Sequence, residues 1–199
     1  RKITKPDIPL PGEIMNEIKH LEMHELEEGL ETIRQSPKDH GILNLIVRRP
    51  YIEQREVLNE ALLDLHEGLI GDNWKTRPSS RTEDGSPHPE MQLNIMNSRV
   101  IALLAQDEER WQLAGDQLIV DLDLSEENLP AGTQLSIGEA VIEITSQPHT
   151  GCKKFAARFG RDAILFVNSQ QGKELHLRGI NAKVVKAGSI HKGDIVIKI

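Results

Sequence analysis

The sequence predicts a mainly β fold with helices, arranged as a barrel or a sandwich rather than as a parallel α/β sheet. In the second half of the chain, short runs rich in β-branched residues recur about every eight to twelve residues, and turn signals separate them. The chain has 199 residues, of which 38% are hydrophobic, so it can bury the core of one large domain, or of one domain with an appendage. The turn signals are Leu129-Pro130-Ala131-Gly132, Ile137-Gly138-Glu139, Ala187-Gly188 and Lys192-Gly193-Asp194.

An amphipathic helix is predicted over residues 12–34, outside the main domain. Its apolar residues recur at close to helical spacing, and a Pro-Gly pair before it and a Ser-Pro pair after it are start and stop signals. We therefore expect a helical extension over residues 1–36 and the main domain over residues 37–199.

The middle of the chain mixes strand, turn and loop signals. Residues 42–47 form a short apolar run, which predicts the first buried strand. Residues 51–70 combine helical spacing with turn residues, so their pattern indicates no single structure. Residues 75–90 hold several prolines and serines together with Lys75, Arg77 and Arg81, which predicts a long loop suited to covering an anionic ligand.

The second half of the chain begins with a predicted helix over residues 95–105. The segments after it are short, rich in β-branched residues and bounded by turns, so they are predicted to be strands. These strands are predicted at residues 117–122, 134–137, 140–145, 164–167, 182–186 and 194–199.

Composition argues against several classes of function. The chain carries 24 Lys and Arg against 31 Asp and Glu, a formal net charge of −7, which disfavours binding along a nucleic-acid backbone. No apolar run approaches the length of a membrane span, so no membrane partner is expected. One cysteine cannot form an internal disulfide, and a reducing, cytoplasmic location is the expectation.

The single cysteine lies in the segment Gln147-Pro148-His149-Thr150-Gly151-Cys152-Lys153-Lys154-Phe155. A thiol acts as a nucleophile or a soft metal ligand in its thiolate form, which cationic neighbours favour. Gly151 leaves room for a bound group beside the backbone. The alternative is a buried cysteine that serves as a small hydrophobe. The proline, the glycine and the two lysines indicate an exposed loop instead, and so favour a functional Cys152.

Several spans, taken together in order, resemble the MOSC domain family, which is named for the C-terminal domain of molybdenum cofactor sulfurases. The resemblance covers about residues 42–199. The pyridoxal-phosphate-dependent half of a sulfurase is not seen, so a small stand-alone member is expected. The spans are Gly68 to Asp72, Ala114 to Leu118, Ile137 to Thr145, the Cys152 segment, Arg158 to Gly160, Leu177 to Ile180 and Gly193-Asp194.

The resemblance implies a closed or partly closed MOSC-type β-barrel that binds the molybdenum cofactor (molybdopterin) or handles sulfur. Cys152 would be the catalytic residue, either as a ligand of molybdenum or as the carrier of a persulfide. Reduction of N-hydroxylated compounds, as in some relatives, is one implied activity. The alternative is a non-catalytic module that delivers cofactor or sulfur to a partner. The expected partners are a pterin cofactor or sulfur donor, and an electron-transfer protein or a molybdoenzyme.

Further site residues follow from the motifs of the resemblance. The turn Gly115-Asp116-Gln117-Leu118 is similar to a Gly-Glu-Asn-Leu turn of the family, so Asp116 and Gln117 are either cofactor contacts or ordinary turn residues. Asn97 and Ser98 fall where relatives place small polar contacts to the cofactor.

The basic residues near Cys152 predict an anion site. Lys153, Lys154 and Arg158 would hold the phosphate of the cofactor, unless they form a merely solvated charged face. Arg178 is either a second anion ligand or an arginine packed in the barrel. His149 and Gly151, from the cysteine segment, complete the set of predicted cofactor contacts.

Overall fold

The computed structural model describes residues 19–199, and it confirms the mainly β fold with helices. Six α-helices occur in this part of the chain: α1 (Met23–Glu28), α2 (Leu30–Arg34), α3 (Ser98–Ala105), α4 (Lys153–Phe159), α5 (Arg161–Asn168) and α6 (Gln170–Glu174). Eleven strands occur there: β1 (Gly41–Arg48), β2 (Glu56–Leu58), β3 (Glu60–Asp64), β4 (Gly68–Leu69), β5 (Leu93–Asn97), β6 (Leu118–Asp121), β7 (Gln134–Ile137), β8 (Ala140–Ile144), β9 (Ile180–Lys186), β10 (Gly188–His191) and β11 (Ile195–Lys198).

Seven of these strands close into a barrel. Their order around it is β1, β11, β7, β8, β9, β5 and β6, and β6 pairs back onto β1. Strands β5 and β6 are parallel, whereas the other neighbours in the barrel are antiparallel. Strand β2 extends the sheet beside β1, and β10, β3 and β4 form a separate small sheet. The closed barrel predicted from the family resemblance is therefore confirmed.

Strand β1 shows how the sequence separates the two cores. Leu43 and Ile46 point into the barrel, whereas Leu45 and Val47 point outward into a second core that the helices cover. A shift of register between Leu43 and Leu45 breaks the simple alternation, as a β-bulge does. The barrel therefore has an apolar interior and a helical layer on part of its outer face.

The N-terminal helix is present as two short helices, α1 and α2, that meet at Gly29. The part of this prediction that precedes residue 19 lies outside the described residues. Leu26 and Ile33 are buried in the helical layer, and Met23 N donates to Asp162 Oδ2 on α5 at 3.0 Å. A Cβ on Gly29 would lie 2.5 Å from Leu103 Cδ2, so glycine permits this close approach.

Two predicted elements need correction. The helix expected over residues 95–105 begins only at Ser98, because residues 93–97 form β5 and the Asn97 side chain caps the helix by accepting from the Arg99 and Val100 amides. The strand expected over residues 164–167 is part of helix α5, where the apolar residues fall on one helical face with Ala163, Phe166 and Val167 buried.

The two segments with irregular patterns also take definite forms. Residues 51–70, which gave mixed signals, contain three strands joined by turns. Residues 75–90 form the predicted long loop, with a 3₁₀ turn at each end over Asn73–Thr76 and Pro89–Met91. Within residues 19–199, no helix is both long and apolar enough to cross a membrane.

Candidate functional site

Cys152 is exposed and lies immediately before helix α4, where it is the N-cap residue. Its backbone carbonyl accepts from the Ala156 amide at 3.0 Å, but its side chain makes no capping hydrogen bond. The thiol is therefore held at a fixed backbone position and left accessible. This placement agrees with the exposed loop predicted from the sequence.

A cavity of about 450 Å³ opens beside Cys152. Its walls come from the turn between β1 and β2, from residues 73–78, from the cysteine segment and from α4. Glu53 is the one carboxylate among the residues that line it. Six lining residues are cationic: Arg49, Arg55, Arg77, Lys154, Arg158 and Arg178. A protein of net charge −7 thus concentrates positive charge next to its only thiol.

Arg49 is fixed by a buried bidentate ion pair with Asp72. Its Nε donates to Asp72 Oδ2 at 2.9 Å and its Nη2 to Asp72 Oδ1 at 2.8 Å. Its Nη1 also donates to the Gly115 carbonyl at 2.9 Å. Both side chains are almost fully buried, so this pair orients one wall of the cavity.

Asp116, His149 and Arg178 form a second buried charged group. His149 Nε2 lies 3.0 Å from Asp116 Oδ1, and Arg178 Nη1 donates to Asp116 Oδ2 at 2.7 Å. Burial raises the pKa of Asp116, but attraction to Arg178 and His149 and their hydrogen bonds outweigh it and hold that pKa below its usual range. Burial, with Arg178 nearby, lowers the pKa of His149.

The lowered pKa values of Asp116 and His149 define the hydrogen-bonding state of His149. An ionised Asp116 only accepts hydrogen bonds, so a neutral His149 donates to it through Nε2. The other ring nitrogen, Nδ1, makes no hydrogen bond with the described residues and is not among their fully buried unpartnered atoms. His149 lines the Cys152 cavity. Its Nδ1 is therefore a proton acceptor on a residue that lines this cavity.

Three polar atoms of residues that line the cavity are buried without a partner among the described residues: Arg55 Nε, Asn73 Oδ1 and Arg178 Nε. Two of them are donors and the third is an acceptor. Burial, with Arg158 and Arg49 nearby, lowers the pKa of Arg55. Buried polar atoms normally find partners, so these three leave hydrogen-bonding capacity for a bound molecule.

Arg178 is packed in the fold and also lines the Cys152 cavity. Its guanidinium carbon lies 4.8 Å from the centroid of the Phe155 ring, and its Nη2 donates to the Ala114 carbonyl at 3.1 Å. It is nearly buried, yet it also lines the Cys152 cavity. Arg178 is therefore a packed arginine that presents positive charge to the site.

Several predicted residues do not line the cavity. Gln117 is fully buried, where its Oε1 accepts from the Asn94 amide at 2.7 Å and its Nε2 donates to the Gln92 carbonyl at 3.0 Å. Asn97 donates to Ser36 Oγ at 2.8 Å and to the Leu122 carbonyl at 2.7 Å.

Asn97 also lines a different depression, which it shares with Arg34 and Lys38. Ser98 is buried at the start of α3. Lys153 is exposed next to Cys152 but outside the cavity lining. The structure therefore places His149, Lys154, Arg158 and Arg178 in the lining of the Cys152 cavity. Asp116 lies behind them in contact with His149 and Arg178, and Gly151 precedes Cys152 in the chain. Gln117, Asn97 and Ser98 are kept in structural contacts.

Sequence reasoning misses two cations of the site, Arg49 and Arg55, whereas Arg77 belongs to the loop predicted to cover an anionic ligand. The two missed arginines lie far before Cys152 in the chain, and only the closed barrel brings them beside it. One signal was available, because Gly71-Asp72 belongs to the motifs of the resemblance and Asp72 is the residue that holds Arg49.

Comparison with known families decides the identity of the domain. The family model of the MOSC domain matches residues 84–197, more than half of the chain. The chain belongs to the MOSC domain family. The resemblance inferred from the motifs is thereby confirmed. A search of curated proteins found no match.

Solved structures support the MOSC fold. The YuaD protein from Bacillus subtilis is 17% identical, with a TM-score of 0.55 over 78% of this chain and 93% of that chain. YiiM from Escherichia coli is 22% identical, with a TM-score of 0.51 over 79% of this chain and 69% of that chain. A hypothetical protein is 22% identical, with a TM-score of 0.53 over 81% of this chain and 68% of that chain. At such identities the likeness is one of fold.

Proposed function

We propose that this MOSC protein binds the molybdenum cofactor at the Cys152 cavity, with Cys152 as the protein ligand of the metal. The observation that supports this most is the exposed single thiol beside a cavity lined by six cations on an acidic chain. A thiolate is a soft ligand suited to such a metal, and arginine and lysine suit the phosphate that the cofactor carries.

The residues present fit a ligand of this kind. Arg55 Nε and Asn73 Oδ1 are an unpartnered donor and acceptor at the cavity wall, as a group with both acceptor and donor edges requires. Lys154 and Arg158 lie on one face of α4 and would take the phosphate. The bound cofactor would supply two-electron redox chemistry at molybdenum.

The chain's own residues would prepare and orient the site. Asp72 holds Arg49, and Asp116 holds Arg178, so two cations need no reorganisation when an anion enters. Asp116 also fixes the Nε2–H tautomer of His149, which leaves Nδ1 to accept a proton from a bound molecule. We propose that this arrangement supports the reduction of N-hydroxylated compounds.

The second candidate is a sulfur or cofactor carrier in which Cys152 holds a persulfide for delivery to a partner. The specific observation in its favour is the exposure of Cys152, which lines the cavity yet remains open to solvent. An accessible thiol suits transfer between two proteins. For the enzyme, the proposed partner is an electron-transfer protein. For the carrier, it is a molybdoenzyme.

Anaerobic purification from a host that makes the cofactor tests both candidates. We expect molybdenum by elemental analysis and a pterin by mass spectrometry in the wild-type protein, and neither in Cys152→Ser. Reductase turnover of an N-hydroxylated compound with a chemical reductant distinguishes the enzyme from a cofactor carrier. A persulfide on the Cys152 peptide, without molybdenum, supports the sulfur carrier. Wild-type protein that carries none of these groups contradicts both proposals.

A further inference from the structure

Glu53 occupies the cationic face of the cavity with its own carboxylate. It lies in the turn between β1 and β2, where its backbone takes a left-handed conformation with φ 63°. Its Oε2 accepts from Arg158 Nη2 at 2.8 Å, and its Oε1 accepts from Lys154 Nζ. The Glu53 side chain is 56% exposed, so burial does not lock it in place.

These ion pairs neutralise only part of the positive charge. Asp72 and Asp116 already hold Arg49 and Arg178 within the fold. Among the other four cations of the lining, Lys154 and Arg158 pair with Glu53, which is the one carboxylate of the lining. These four are Arg55, Arg77, Lys154 and Arg158. A site with this surplus favours an anion that carries more charge and more oxygens than one carboxylate.

We propose that Glu53 is a tethered competitor for the anion site, which holds Lys154 and Arg158 until a phosphate monoester or another multiply charged oxyanion displaces it. Glu53 thereby sets the affinity threshold of the site, and the turn that carries it moves when the anion binds. The inference rests on the proposed function in one respect, the use of Lys154 and Arg158 as anion ligands.

Two features make displacement feasible. Exposed ion pairs contribute little to stability, so an entering dianion meets a small opposing free energy. Glu53 has a left-handed backbone conformation, which L-residues other than glycine disfavour. Loss of its ion pairs with Lys154 and Arg158 therefore frees this turn to relax. Tyr51 lies in the same turn, is exposed and is the only tyrosine of the chain. Its ring signals therefore report on the position of the turn.

The test compares Glu53→Gln with Glu56→Gln in the full chain purified without cofactor. Glu56 lies in the adjacent strand β2, bonds to Arg48 at 2.6 Å and is outside the cavity lining, so it controls for loss of one negative charge. Inorganic phosphate is the probe, titrated calorimetrically at constant ionic strength. We expect Glu53→Gln to bind phosphate about threefold to tenfold more tightly than Glu56→Gln, the range expected when exposed ion pairs no longer compete.

The Tyr51 ring signals in NMR spectra supply the second measurement. Phosphate should shift them in the wild type and in Glu56→Gln, whereas in Glu53→Gln they should already be displaced and should move less. Equal phosphate affinity of the two variants, or an affinity gain in Glu53→Gln with Tyr51 signals like those of the wild type, overturns the inference. So does a Glu53→Gln protein that binds no phosphate. Molybdenum and pterin retention is measured separately, so either proposal can fail without the other.

Discussion

The side-chain amide of Asn168 holds the backbone of Gly151 at two points. The Gly151 amide donates to Asn168 Oδ1 at 2.9 Å, and Asn168 Nδ2 donates to the Gly151 carbonyl at 3.2 Å. A Cβ on Gly151 would lie 3.0 Å from Ile164 Cγ1, so α5 also sets how closely this segment approaches. Helix α5 thus fixes the backbone directly before Cys152.

Loss of this contact should change the reactivity of Cys152. In Asn168→Ala both hydrogen bonds to Gly151 disappear, and unpairing such groups costs about 1–3 kcal/mol where they are buried. We expect a changed rate of Cys152 alkylation by iodoacetamide under native conditions, and weaker retention of molybdenum. Asn168→Asp keeps the acceptor for the Gly151 amide, so its alkylation rate and its molybdenum retention should lie between those of the wild type and those of Asn168→Ala. Alkylation rates equal in all three proteins would show that Asn168 does not position Cys152.

The sequence was sufficient to predict the elements that local patterns define. Strands β7, β8 and β9 lie between strong glycine turns, and each was predicted within a few residues. The Cys152 segment stands out as a candidate site because a cysteine next to glycine and lysines is unusual for a core. Both features depend on neighbours in the chain, so one sequence can reveal them.

The rest depends on contacts that only the folded chain makes. Arg49 and Arg55 reach the site because the barrel brings distant segments together. Asn97 looked like a cofactor contact, but its side chain caps α3 and bonds to Ser36, which no local pattern reveals. The residues 164–167 are short and apolar, and short apolar runs do not distinguish a strand from a buried helical face.

Removal of the proposed phosphate ligands should weaken binding of the phosphorylated pterin. Lys154→Gln with Arg158→Gln removes two cations that line the cavity, whereas Lys153→Gln removes an exposed cation beside Cys152 that does not. We expect the double variant to lose affinity and the single variant to retain it. The difference should be smaller at high salt, where screening has already reduced the attraction. Binding assays at low and high ionic strength check this. If the double variant binds as tightly as the wild type at both ionic strengths, these cations form only a solvated surface.

The buried pair of His149 and Asp116 should make stability depend on pH. Burial and the nearby Arg178 lower the pKa of His149 below its ordinary value of about 6.5. As the pH falls below about 6.5, the unfolded chain takes up this proton before the folded chain does, so stability present at higher pH is lost.

His149→Gln removes the titration and leaves an amide that can donate to Asp116. We expect the free energy of unfolding of the wild type to fall more than that of the variant between about pH 7 and about pH 5. Denaturant unfolding at several pH values measures the difference, in which the other histidines cancel. Parallel curves for the two proteins would mean that the folded and unfolded states of His149 titrate alike.

The loop of residues 75–90 should become more protected when an anionic ligand binds. Arg81 Nη1 donates to the Pro148 carbonyl at 3.2 Å, which links this loop to the cysteine segment, and Arg77 lines the cavity itself. A long loop costs little additional closure entropy, so it can be retained for binding without stabilising the barrel. Hydrogen exchange with and without the cofactor should therefore show slower exchange in residues 75–90 in the bound state. Arg81→Gln breaks the link to Pro148 but leaves the cavity lining intact, so it should reduce this protection more than it reduces affinity. If the loop exchanges at the same rate in both states, it is a tolerated insertion and takes no part in the site.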